Sequence, residues 1–135
     1  MKLLLRSFLA AAVIAGPSSS ALSATEQALA LSDGNALLEV CGLFVRSADS
    51  GNARPSDKDL VMVVACTSYL RGFSHGVALL SNEPDQGWGY CIDPTVPALQ
   101  IARVLVAHLR NNPQTLHLHP AVLVGRALRN GFPCK

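Results

Sequence analysis

Charge is scarce in this sequence. Asp, Glu, Lys and Arg make up 15% of its 135 residues, and aromatic residues only 5%. No apolar stretch approaches the ~20 residues needed to cross a bilayer. No two cysteines are near enough for the C-x2-4-C pairs of a zinc site, and a redox C-x-x-C is missing. Sustained apolar–polar alternation is also missing, which argues against a sheet. At this length the chain holds one domain and falls short of the large α/β enzyme folds, which take about 200 residues or more. Acidic residues stop at Asp93; beyond it come only Arg103, Arg110, Arg126, Arg129 and Lys135. A folded surface built from such a chain is dipolar.

The formal charge of +2 contains Lys2 and Arg6, which belong to a leader. Residues 1–23 have the form of a secretory signal: two basic residues, an apolar run over residues 8–15, a Gly16-Pro17 break, and small residues before a cut after Ser23 or after Ala21. Removing them leaves nine basic and nine acidic residues. A neutral domain has no global electrostatic footprint for nucleic acid or an anionic membrane. Residues 24–135 are therefore expected as an exported, periplasmic domain with no membrane segment after cleavage. In an oxidising compartment the even set Cys41, Cys66, Cys91 and Cys134 reads as two disulfides.

Helical periodicity dominates the exported part. A first helix is expected from Asp33 to Ala48, with Leu37, Val40, Phe44 and Leu43 inward. Residues 49–56 form a loop by composition. Ser56 and Asp59 resemble a capping box that opens a second helix reaching Leu80. Its first half is apolar nearly all round, which marks it as the most buried helix. Gly72 and Gly76 each cost that helix up to ~1 kcal/mol; four residues apart, they offer one face for close helix packing. A loop over residues 81–94 carries the single Trp. The third helix follows, capped by Thr95 with Pro97 in its first turn, and Pro113 stops it. The last begins with His119 as cap and Pro120 at the first helical position, and Gly131 and Pro133 end it. The expected fold is all-α, a small four-helix bundle-like domain with two disulfides.

Several motifs carry apparent chemistry. Gly72-Phe73-Ser74-His75-Gly76 matches G-x-S-x-G, but a nucleophile elbow needs a strand before it, and this pentapeptide lies within a helical pattern. His117 and His119 lack a third metal ligand, and His75 and His108 stand alone on helices. Asp57 and Asp59 are explained by the positive end of a helix dipole. No catalytic residue, metal or cofactor is assigned. Glu83, Asp85, Gln86, Trp88 and Tyr90 form a different kind of group, aromatic anchors with a polar rim between Gly87 and Gly89, suited to a partner-binding loop. The alternative for Trp88 is a place over the core.

The segment Cys66-Thr67-Ser68-Tyr69-Leu70-Arg71-Gly72-Phe73-Ser74-His75-Gly76, then Tyr90-Cys91-Ile92 and Gln100, resembles the Rap/Tai immunity-protein family. So do Leu116-His117, Ala121, Leu123-Val124, Ala127-Leu128 and the ending Phe132-Pro133-Cys134. The resemblance covers about residues 36–135. It implies an exported, all-helical, disulfide-bonded, often dimeric protein without enzymatic activity. Its partner is a cell-wall amidase delivered by a type VI secretion system, whose active-site groove it blocks. The family's Pro directly after Cys-Ile is replaced here by Asp93-Pro94, so no effector-contact residue is carried over. Two further classes remain beside the inhibitor: a periplasmic stress or chaperone-like binding protein, and a hydrolase resting on Ser74 alone.

Helix heights suggest the disulfide pairing. Cys41 lies seven residues before the expected end of the first helix and Cys66 nine after the start of the second, which gives similar heights in an antiparallel pair. Cys91 precedes the third helix and Cys134 follows the fourth, so antiparallel packing joins those ends. The expected bridges are Cys41–Cys66 and Cys91–Cys134.

Overall fold

The computed structural model describes residues 31–51, 56–80 and 89–134. Among them are four α-helices: α1 (Gly34–Asp49), α2 (Asp57–Leu80), α3 (Ala98–Asn111) and α4 (Pro120–Gly131), with a 3-10 turn at Pro113–Thr115. No strand occurs among the described residues. Residues 1–23, expected as a signal peptide, and the 81–88 segment lie outside the described residues.

Local hydrogen bonds explain where the helices start. The Asp33 carboxylate accepts from the Asn35 and Ala36 amides at 2.9 and 3.0 Å, satisfying donors that the first turn cannot pair internally. Those bonds, that from Ala36 first, hold its pKa below the ordinary carboxylate value. At α2 the capping box is reciprocal. The Asp59 amide donates to Ser56 Oγ at 3.2 Å, and the Ser56 amide and hydroxyl donate to Asp59 Oδ2 at 3.2 and 2.8 Å. His119 Nδ1 accepts from the Ala121 amide at 3.2 Å, and Pro120 opens α4.

The third helix begins later than its sequence suggests. Thr95 caps nothing: its amide and hydroxyl both donate to Asp93 Oδ1, at 2.8 and 2.6 Å, and the Val96 amide closes a turn onto the Asp93 carbonyl at 2.9 Å. Asp93 competes successfully for the donors and the hydroxyl. Pro97 becomes the N-cap of α3.

One continuous core joins all four helices, built on Leu37, Val40, Cys41, Met62, Cys66, Leu70, Leu105, Leu109, Leu123 and Leu128. Phe44 and Leu43, expected inward, pack at its margin. The most central helix is α1, which packs against both α2 and α3. The longer α2 is not the most buried element: Leu60, Val61 and Val64 in its apolar half are 51%, 44% and 53% exposed. Apolar residues around the whole circumference do not identify the inner face, and the core takes the Met62, Cys66, Leu70 side.

The glycine face of α2, expected as a close helix contact, meets nothing among the described residues. A Cβ added at Gly72 or Gly76 would meet no atom within 4 Å. No helix of the described chain packs closely there. Close approaches occur instead at Gly131, against Val104, and at Gly34, where a Cβ would come within 2.5 Å of Leu123 Cδ1 and 2.8 Å of the Leu116 carbonyl oxygen.

Candidate partner-binding surface

The two disulfides are Cys41–Cys66 and Cys91–Cys134, with Cα separations of 5.1 and 4.9 Å. They serve different places. Cys41 and Cys66 are both fully buried and join α1 to α2 within the core. Cys91 and Cys134 are exposed residues. Their bridge, with the Cys91 amide donating to the Phe132 carbonyl at 2.8 Å, ties residues 90–92 to the chain after α4. Positions 89–92, directly beyond the 81–88 segment, are thereby fixed covalently to the bundle.

A thiolate must reach a disulfide sulfur to open it. Mild dithiothreitol should therefore reduce Cys91–Cys134 first and leave Cys41–Cys66 intact until the fold opens. Differential alkylation followed by peptide mass mapping checks the order; simultaneous reduction of both bridges in the folded protein would contradict it.

Of the candidate contact residues, Glu83, Asp85, Gln86 and Trp88 lie outside the described residues. Gly89 is exposed, with φ at +72°, a left-handed conformation that suits glycine. It turns the chain beside the Arg129 side chain. Tyr90 is half-buried and packs on the core margin. Burial raises its pKa. Its hydroxyl is buried without a hydrogen-bond partner among the described residues. Tyr90 thus seats the end of the segment on the bundle.

The residues that suggested catalysis are dispersed. Ser74 is mid-helix on α2, with its hydroxyl buried and no hydrogen-bond partner among the described residues. Among the described residues no side chain takes its hydrogen bond as an activating base would. Asp59 is engaged in the capping box, and Asp57 is exposed in the first turn. His117 is exposed and His119 caps α4. Among the described residues no three His, Cys, Asp or Glu side chains converge to hold a metal, and no helix is long and apolar enough to cross a membrane.

Arg103 pairs with Asp49 across α3 and α1, both about half exposed, so the pair adds little stability. His108 is held below its ordinary pKa by burial, with Arg126 nearby adding to the effect.

These features define a small disulfide-bonded helical domain. The family model of Rap1a immunity proteins matches residues 33–134, and the chain belongs to that family. No curated protein and no solved structure matches it. Membership makes the chain an immunity protein, of a class that acts by binding a cognate effector and is generally non-enzymatic.

Proposed function

We propose that this chain is a periplasmic immunity protein that binds and blocks a peptidoglycan amidase delivered by type VI secretion, and has no enzymatic activity of its own. The observation that carries the reading is the family match over residues 33–134. Two physical features support it. Inhibition by occlusion needs a rigid scaffold and one segment able to enter a groove, and rigidity lowers the entropy cost of binding. Here two disulfides stiffen the bundle, and one of them anchors the end of the segment that holds Trp88. Residues 1–23 act as a cleaved signal peptide, which places the exported domain beside the cell wall where such an amidase works. The segment Glu83, Asp85, Gln86, Trp88 and Tyr90 supplies the contact, and a homodimer is the active species.

Titrating a purified type VI peptidoglycan amidase with the exported chain tests this reading. Activity should fall to zero near equimolar ratio. Trp88→Ala should weaken inhibition by ~2 kcal/mol or more, as loss of a central anchor does, with the melting temperature unchanged. A melting temperature that drops while inhibition by the folded fraction persists would place Trp88 in the core and remove the contact assignment.

A further inference from the structure

The two bridges differ in more than burial. Cys41 and Cys66 lie inside α1 and α2 and are fully buried, so no thiolate reaches their sulfurs while the helices stay packed. Cys91 and Cys134 are exposed and lie outside every helix. Opening their bridge breaks no helical hydrogen bond. Beside it the Cys91 amide donates to the Phe132 carbonyl at 2.8 Å, a bond that water can replace. The strap of residues 89–92 is held down against an opposing cost. Tyr90 and Ile92 pack on the core margin, but the Tyr90 hydroxyl is buried with no hydrogen-bond partner among the described residues. Such a hydroxyl is costly where it lies and regains its hydrogen bonds on reaching water. The exposed disulfide therefore fastens a segment that gains by lifting.

We propose that Cys91–Cys134 is a thiol–disulfide exchange site for a protein dithiol of the C-x-x-C type. Its opening lifts residues 89–92 off the bundle while Cys41–Cys66 keeps α1 and α2 joined. One thiolate of the dithiol attacks a sulfur of the bridge, the S–S bond breaks, and the other cysteine leaves as a thiolate. The second thiol of the dithiol then attacks the mixed disulfide and releases the cysteine still held. The bridge gains two electrons and two protons and becomes two thiols; the dithiol loses them and becomes a disulfide. The reverse passage closes the strap again. A C-x-x-C dithiol suits this site better than a monothiol, because its second thiol is already positioned to resolve the mixed disulfide.

Reduced thioredoxin is the probe. In excess it should open Cys91–Cys134, and only that bridge, in the exported chain, with helical circular dichroism unchanged; differential alkylation and peptide mass mapping read the thiols. Thioredoxin lacking its second active-site cysteine should be trapped on Cys91 or Cys134. No trapped species, a species on Cys41 or Cys66, or loss of helix on opening would overturn the exchange site. Hydrogen exchange reads the lift. The Cys91 amide, bonded to the Phe132 carbonyl in the bridged form, should exchange about tenfold faster or more once the bridge is open. Equal rates in the two forms would overturn the release. Tyr90→Phe supplies an independent check, since it deletes the hydroxyl that gains by lifting. The equilibrium with thioredoxin should move about tenfold toward the bridged form, the fold-change expected of one buried unpartnered hydroxyl. No movement, or movement toward the thiols, would leave Tyr90 seated in both forms and overturn the lift. Amidase inhibition enters none of these readouts, so failure of the inhibitor reading and failure of the exchange site are told apart.

Discussion

Replacing both Cys41 and Cys66 by alanine is expected to lower stability by about 3.5 kcal/mol from loop closure alone. The two residues are 25 apart in sequence, and both are fully buried, so lost packing adds to the entropic cost. For a domain of about 100 residues, 3.5 kcal/mol corresponds to a fall in melting temperature of roughly 14–28 °C. Loop length alone ranks the second bridge slightly higher, at about 4 kcal/mol, because it closes a longer loop. That bridge is exposed, however, and its removal leaves no core cavity. Thermal unfolding of the two double variants should show the Cys41/Cys66 pair as the more damaging. A larger loss from Cys91/Cys134 would mean that the tie after α4, and not the core bridge, holds the bundle together.

The second large effect is a reversal of sign between glycines. Gly34→Ala should cost about 2–3 kcal/mol, as overpacking against a fixed neighbour does. Its new methyl meets the Leu116 carbonyl oxygen at 2.8 Å and Cα at 2.9 Å, and backbone yields less than a side chain tip. The Gly34 amide also donates to that same carbonyl at 2.7 Å, so backing away breaks a hydrogen bond. Gly72→Ala should instead stabilise the monomer by about 0.8–1 kcal/mol, because the methyl enters open space and alanine favours a helix. Denaturant titrations of both variants below the dimer concentration check the pair. Destabilisation by Gly72→Ala would mean that another part of the chain covers this face.

The parts of this fold that were legible in the sequence are those set by neighbours along the chain. Ser56 with Asp59 and His119 with Pro120 announce helix starts because the bonds they make span two or three residues. The disulfide pairing followed from helix lengths and antiparallel packing. Asp93 escaped notice because two rules compete there: Thr95 suits a cap, but an aspartate two residues earlier captures both its amide and its hydroxyl. The inner face of α2 was not legible, since Leu60, Val61, Met62, Val63 and Val64 are apolar on every side and only their three-dimensional neighbours choose among them. Gly34 and Gly72 are alike in sequence and opposite in surroundings for the same reason. The candidate contact segment was legible only as composition, a Trp among acids and glycines.

Protection of cells tests the immunity function most directly. A strain exporting the amidase effector into its own periplasm should lyse, and co-expression of this chain with residues 1–23 intact should restore growth. The same chain lacking those residues should fail to protect, because it stays on the wrong side of the inner membrane. Lysis that proceeds unchanged with the exported chain present, at levels matching the amidase, would contradict the immunity function.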